Sequence, residues 1–318
     1  MQAKALRLVL FTTLLFGLVA LIGCGPKDTP GTKTPEQASL DDALALLPSG
    51  AIAVGTIDAR AFFGSQTFGP DLVKLVEKYI PLGQEAGFSA SRDVDRVTFA
   101  SYSYQGVDVA AIVIGKFDAA KFKQMATQQV PTKSGTTLVA SSYAGRDIYT
   151  ISNVGFTILS ETRAIAGTES GIRRVLDRIK DNRVKREIPP WMLETVETPG
   201  AAATVAVDMA TQPMPQEVAG RIPVSFIQTL KAARIVASFK DNGTQLAGAF
   251  TYADEATATQ QGVAVKQAAG MSRWLSLIGI TVKNVEVKTE KADVQVTLGI
   301  DDQSLRQMLA TVPQWMGQ

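Results

Sequence analysis

Apolar positions in this chain fall into three patterns: one long continuous stretch near the start, short runs of strand length, and stripes at helical spacing. From Leu8 to Leu21 the only polar interruptions are Thr12 and Thr13. Residues 25 to 39 hold three prolines, two glycines and no large apolar side chain. That composition cannot bury a core and predicts a flexible tether. Beyond it, strand runs and helix stripes follow one another in an order that occurs twice.

Pro48-Ser-Gly-Ala-Ile-Ala-Val-Gly-Thr-Ile-Asp-Ala opens the first copy and Pro199-Gly-Ala-Ala-Ala-Thr-Val-Ala-Val-Asp-Met-Ala the second; both read as turn, apolar strand, then Asp. A helix is expected from Pro70-Asp71, with Leu72, Val73, Val76, Tyr79 and Ile80 on one face and a stop at Pro81, matched by residues 224 to 233. Strand pairs follow at 97–104 with 107–114, and at 234–240 with 244–252. The second pair flanks Asp241-Asn242-Gly243, a strong hairpin signal. Asp118 and Asp254 are helix N-caps, and the second helix carries Ala264, Ala268, Met271, Leu275 and Ile278 on one face. Copy one then gives strands at 137–141, 148–151 and 155–159 and a helix capped by Thr168 with Ile172, Val175, Leu176 and Ile179. Copy two gives strands at 280–287 and 294–300 and a helix capped by Asp302 with Leu305, Met308, Leu309 and Val312. The fold class predicted is α+β: two tandem repeats, each an antiparallel sheet with helices packed on one face. The repeats span residues 40–185 and 199–318, joined by a connecting segment at 186–198. The start of the first, Leu46-Leu47-Pro48-x-x-Ala51, resembles repeat openings in uncharacterised bacterial envelope proteins that carry duplicated α+β units, and implies no function.

The long apolar stretch has signal-peptide anatomy: Lys4 and Arg7 precede it and small Gly23 closes it. It is shorter than the roughly 20 apolar residues of a spanning helix. It ends Leu21-Ile22-Gly23-Cys24, which resembles the lipobox of bacterial lipoproteins at every position. The resemblance implies cleavage after residue 23 and a diacylglyceryl thioether on Cys24, the single cysteine of the chain. Gly25, where many inner-membrane lipoproteins carry Asp, by the same resemblance favours the outer membrane. Membrane attachment through the lipid on Cys24, in the cell envelope, is therefore expected.

Composition narrows the chemistry. Residues 1 to 23 contain two cations and no acid, so the chain from Cys24 onward has 30 Lys and Arg against 30 Asp and Glu. Zero net charge gives no support for nucleic-acid binding. With Cys24 acylated no thiol remains for a disulfide. The chain has no histidine, which excludes Ser-His-Asp and Cys-His catalysis and His-ligated zinc. Lys133-Ser134-Gly135 resembles the Lys-Thr-Gly box of penicillin-binding enzymes, but no Ser-x-x-Lys precedes it. Asp41-Asp42, Asp301-Asp302 and the pair Asp93 and Asp95 sit beside apolar periodic segments, where capping and turns are their expected roles. No catalytic residue, metal site or cofactor is predicted.

Two surfaces are candidates for partner contact. The helix from Glu169 and its exit carry Arg173, Arg174, Arg178, Lys180, Arg183, Lys185 and Arg186 against Glu169, Asp177, Asp181 and Glu187. They form either a basic patch for anionic headgroups or an acidic partner, or an ordinary solvated face with i,i+4 pairs. Ile188-Pro189-Pro190-Trp191-Met192-Leu193 is either a docking patch or packed between the copies. Small residues at Ala201 to Ala203 and from Ala256 to Gly270 allow close backbone packing, or room for a lipid tail between sheet and helix. The function expected is a non-enzymatic envelope lipoprotein that binds a protein or envelope component; the alternative is a carrier of lipid or another hydrophobic ligand in an apolar cavity.

Overall fold

The computed structural model describes residues 40–104, 108–151, 154–212, 229–240, 243–270 and 281–315. The leader, Cys24, the tether, residues 224 to 228, the Asp241-Asn242 turn and the stripe positions Met271, Leu275 and Ile278 lie outside them. Helix α1 (Ala43–Leu46) is capped by Asp42, whose carboxylate accepts from the amides of Leu44 and Ala45 at 3.1 and 3.2 Å. Strand β1 (Ala53–Asp58) leads into α2 (Ala59–Phe63), α3 (Gly69–Tyr79) and α4 (Ala90–Asp93), then β2 (Val94–Ser101) and β3 (Val109–Gly115). Asp118 caps α5 (Ala119–Thr127) through the Lys121 amide at 3.0 Å. Strands β4 (Val139–Tyr143), β5 (Arg146–Ile151), β6 (Val154–Ser160) and β7 (Arg163–Gly167) precede α6 (Glu169–Lys180) and α7 (Pro190–Val196). The remainder is β8 (Ala203–Asp208), β9 (Ala232–Lys240), β10 (Gly243–Thr251), α8 (Glu255–Gly270), β11 (Val282–Glu290), β12 (Asp293–Asp301) and α9 (Asp302–Trp315).

All twelve strands join one antiparallel sheet in the order β11-β12-β10-β9-β8-β1-β2-β3-β7-β6-β5-β4. The α+β class and the antiparallel pairing are as expected. A separate sheet for each half is not: β1 pairs β8, with Val54 opposite Ala206, Gly55 opposite Val205 and Thr56 opposite Thr204. Gly55 makes that join close, since a Cβ there would lie 2.6 Å from the Thr204 carbonyl oxygen.

Helices cover both faces of the sheet, which corrects the expectation of one. On the first face Ile57, Phe99, Ala111, Ala203 and Ala237 lie under α2, α3 and Leu305 and Leu309 of α9. Phe62 and Phe239 meet edge to face there at 5.0 Å. The same face continues outward under α5, where Phe122 and Met125 cover Tyr149 and Phe156, and under α8, where Ala258 and Val265 cover Val294. On the second face Val54, Ala100, Ile112, Ile165 and Ala206 lie under Leu46 of α1, Ile172, Val175 and Leu176 of α6, and Met192 of α7. The physical reason is in β3, whose Val-Ala-Ala-Ile-Val-Ile-Gly run is apolar at every position and needs cover on both sides.

Other differences are local. Residues 224 to 233 were expected to be helical, yet Ala232 and Ala233 already belong to β9, where their alternate burial against β8 outweighs helix propensity. Strand β7 has no counterpart among the expected elements, because Arg163-Ala-Ile-Ala-Gly is short and rich in small residues. The connecting segment 186–198 contains α7. The buried positions of α8 are Ala258, Gly262 and Val265, with Ala264 only half-buried. Gly262 seats that helix directly on β11, since a Cβ there would come within 2.4 Å of Thr289 Oγ1. Close packing, rather than room for a tail, is what small residues provide at that point.

Candidate functional site

The helix stripe predicted for α6 sets the position of its cations. Thr168 Oγ1 accepts from the Gly171 amide at 3.2 Å and starts the helix. Burial of Ile172, Val175 and Leu176 then fixes Arg173 and Arg174 at the rim, partly exposed. Arg173 donates to Glu169 at 2.5 Å and its guanidinium lies 4.6 Å from the Tyr143 ring centre, while the Tyr143 hydroxyl donates to Asp177 at 2.9 Å. Arg174 donates to Asp108 at 2.6 Å and covers the ring of Tyr102 at 4.1 Å. Burial pushes the Tyr102 phenol well above its ordinary pKa, and its hydroxyl donates to the Pro48 carbonyl at 3.0 Å.

Arg178 is the most enclosed of these cations, with 4% of its side chain exposed. It donates to Glu187 at 2.7 Å and to the backbone carbonyls of Lys185 and Ala45 at 2.6 and 3.2 Å. Its hydrogen bond, followed by that from Lys185, lowers the Glu187 carboxyl to about 2. Arg183 pairs with Asp181 at 2.8 Å, and Arg186 bridges Asp42 and Glu197 at 2.6 and 2.7 Å. Lys180 is exposed and has no ion pair among the described residues. Around these seven cations stand seven acids, three of them (Asp42, Asp108 and Glu197) brought in from other elements. The surface is an internally neutralised network in which Arg178 ties α6 to α1 and to the start of the connection into α7.

Trp191 sits on α7, half-buried against the second-face core, with the Arg234 guanidinium 5.7 Å from its ring. Structure therefore brings Arg173, Arg174 and Arg178 into one network, leaves Lys180 and Arg183 at its outer edge, and places Trp191 on a separate element across β8 and β9. Sequence reading missed Asp108 as a member, since nothing local marks a residue 66 positions from Arg174.

The acidic pairs are structural among the described residues. Asp41 pairs with Arg163 at 2.5 Å, Asp93 accepts from the Ser89 amide and from Arg92, Asp95 pairs with Arg60, and Asp301 accepts from the Ser304 amide at 2.8 Å at the start of α9. Lys133-Ser134-Gly135 forms a turn, with Gly135 at φ 79°. No cluster of three or more His, Cys, Asp or Glu able to hold a metal occurs among the described residues. No described helix is long and apolar enough to cross a membrane.

Two concavities among the described residues bear on ligand binding. One, of about 380 Å³, lies where β1 meets α7 and is lined by Thr56, Asp58, Arg96, Val196 and Phe239. Of its lining, Thr56 shares a hydrogen bond of 2.8 Å with Thr204, and Arg96 pairs with Asp58 at 3.3 Å. The other, of about 590 Å³, is a groove between α3 and α9 with Leu75, Leu309 and Ala310 beside Lys74, Lys78 and Arg306. Asp71 is the acid in it, 2.9 Å from Arg306 and 3.9 Å from Lys74.

No known family matches this chain, and no curated protein does either. Among solved structures, crystal form IV of TP0453 superposes with a TM-score of 0.52 at 10% identity, covering 85% of this chain and 96% of that one. The chain is similar in fold to TP0453. Crystal form III of TP0453 gives a TM-score of 0.52 at 11% identity, with 86% of this chain and 98% of that chain covered. The likeness extends over nearly the whole of TP0453 and at this identity concerns the fold alone.

Proposed function

We propose that this protein is a non-enzymatic lipoprotein of the cell envelope, held to the outer membrane by acyl chains on Cys24, and that its body serves as a binding or interaction module. The observation that carries the proposal is Leu21-Ile22-Gly23-Cys24, a complete lipobox closing a signal-peptide run. Two acyl chains of one diacylglycerol, at about 0.8 kcal/mol per buried methylene, suffice for stable attachment where one myristoyl chain would not. The body begins firmly at the point where the tether ends. Leu40 packs against the second-face core, Asp41 pairs with Arg163 and Asp42 with Arg186. Fifteen residues lie between Cys24 and Leu40, sixteen Cα–Cα steps, so the body stays within about 55 Å of its lipid.

We read the body as built by internal duplication, from the order of strands and helices that recurs in the sequence. The β1–β8 ladder is antiparallel, as a two-fold relation between the two openings requires, with Gly55 opposite Val205. The closing helices depart from that symmetry, α6 lying on the second face and α9 on the first. Partner contact through Arg173, Arg174, Arg178, Lys180, Arg183 and Trp191 would fall mainly to Lys180, whose charge is not met internally.

A second reading, a carrier of lipid or another hydrophobic ligand, is favoured by the α3–α9 groove. Its volume is within the usual 300 to 1,000 Å³ of ligand sites, and it sets cations beside apolar side chains, as an anionic amphiphile requires. The deciding experiment begins with metabolic labelling by radioactive palmitate in a bacterial host. Label and partition into the detergent phase of Triton X-114 are expected for the natural chain and absent for Cys24→Ser; an unlabelled, water-phase natural chain would sink the proposal. Native mass spectrometry of the labelled protein separates the two readings, since a stoichiometric amphiphile adduct favours the carrier.

A further inference from the structure

Charges in the groove between α3 and α9 do not balance. Lys74 and Lys78 are one helical turn apart on the side of α3 that lines it, and Arg306 of α9 lines it as well. Asp71 is the single acid of that lining. One oxygen of its carboxylate accepts from Arg306 Nε at 2.9 Å, and the other lies 3.9 Å from the Lys74 ammonium. Lys78 has no ion pair among the described residues, and its ammonium sits 5.4 Å from the centre of the Tyr79 ring. On α6 acids from other elements come in to cancel the arginines, whereas here three cations share one carboxylate.

The donors left over suit a phosphate. Asp71 engages only Nε of the guanidinium, so both terminal nitrogens of Arg306 are without an acceptor among the described residues. A planar pair of donors matches two oxygens of a phosphate, and the two ammonium groups add point charges to the same anion. Lysines at i and i+4 repel one another, and an anion held between them offsets that repulsion. Beside the cations the floor is apolar. Leu75 and Leu309 are 8% and 4% exposed, and Ala310 stands at the open rim. Both leucines belong to the packed first-face core, so the apolar part is a shallow floor and no channel for a whole acyl chain leads inward from it.

We propose that this groove holds the phosphate headgroup and the first methylenes of an anionic phospholipid, with Lys74, Lys78 and Arg306 on the phosphate and Leu75, Leu309 and Ala310 against the adjoining chain. This assignment rests on the second reading above, that the groove takes an amphiphile, and names the end that the protein grips. Asp71 competes with the phosphate for Arg306 and so limits the affinity, while its place in the first turn of α3 favours the start of that helix. The groove lies on the first face and Leu40 on the second. Helix, sheet and helix together are about 30 Å thick, less than the tether's reach of about 55 Å, so a lipid of the bilayer that holds Cys24 is within range.

The test uses the full acylated chain in nanodiscs of phosphatidylcholine, titrated calorimetrically with dihexanoyl phosphatidic acid at about 0.15 M salt and corrected against discs without protein. Saturable binding is expected, at least about tenfold tighter than that of two controls: dihexanoyl phosphatidylcholine, with the same chains and no net charge, and inorganic phosphate, with the charge and no chain. Lys74→Gln combined with Lys78→Gln should weaken it by at least about tenfold, and Arg306→Lys, which keeps the charge and removes the fork, by about fivefold. Asp71→Asn should tighten it by about threefold, while Glu290→Gln, the same charge change at the β11 edge, leaves it unchanged. These side chains are at the surface, so the fold survives their substitution, and an unchanged thermal unfolding curve checks this. Equal affinity for inorganic phosphate would assign the cations to a soluble anion and overturn the proposal. Equal affinity for phosphatidylcholine, indifferent to the lysines and lost in Ala310→Trp, would show that the groove grips the chain; the headgroup assignment then falls and the carrier reading stands. Failure of every titrant to bind would remove both.

Discussion

Replacing Arg178 with Met keeps an unbranched apolar stem and removes the guanidinium, which tests what the buried cation does. The carbonyls of Ala45 and Lys185 lose this donor, and the carboxylate of Glu187 is left with Lys185 alone. Hydrogen bonds to a charged group contribute about 1.5 to 3 kcal/mol each, and Lys185 lies at the surface, where water replaces part of the loss. Counting the two carbonyls alone, destabilisation near 3 kcal/mol is expected, which lowers Tm by about 6 to 10 °C for a chain of this size. The pH dependence gives a sharper check. Glu187 has its folded pKa lowered to about 2 from an ordinary 4.5, so its contribution is complete above the unfolded value and is lost as pH falls through the folded one. The stability gap between natural chain and Arg178→Met should therefore be widest at pH 6 to 7 and narrow between about pH 5 and 2. Thermal unfolding followed by circular dichroism at a series of pH values measures it. A gap of equal size at pH 7 and pH 2.5, or a Tm change under about 2 °C, would refute the role given to this network.

Gly55→Ala is expected to weaken the join between the halves of the sheet, because its Cβ would stand 2.6 Å from a backbone oxygen that cannot withdraw. Overpacking of this kind costs about 1 to 3 kcal/mol, read as a lower urea midpoint. Leu176→Ala, at an α6 side chain 1% exposed against the sheet, should cost about 3 kcal/mol in the same assay, and a change under 1 kcal/mol would place α6 outside the cooperative core. Cys24→Ser should leave both midpoints unchanged while abolishing membrane attachment, since Cys24 precedes the body whose packing sets stability.

Much of the order of strands and helices was readable because those elements are marked locally. Asp42, Asp118 and Thr168 cap the helices they precede, and the Pro-turn-strand-Asp openings become β1 and β8. That the two openings pair with each other was not readable, since no local pattern chooses the neighbour of a strand 150 residues away. The second face is a different case. Val109 to Gly115 shows no polar alternation, and such a run announces a strand buried on both sides, so the signal was present in the sequence. The α6 cations were legible as residues and illegible as a surface. Counting charges along the helix leaves an excess of arginine, while the acids that cancel it come from Asp42 and Asp108, 144 and 66 positions from their partners.

The two closing helices show why equal stripes do not guarantee equal placement. Both α6 and α9 carry apolar residues at i, i+3, i+4 and i+7, and the stripe says only that one side must be covered. The junctions with the preceding strands differ. β7 ends at Gly167, whose φ of 144° no L side chain readily adopts and whose missing Cβ lets Val109 O approach to 2.2 Å of where it would stand. That turn delivers α6 to the second face, directly above Ile112 and Ile165. Asp301 enters α9 through an ordinary Asp cap without such a residue, and the helix returns to the first face beside α3. Gly167 thus stands at the turn into the helix that carries the cation network, on the face where Leu40 also packs.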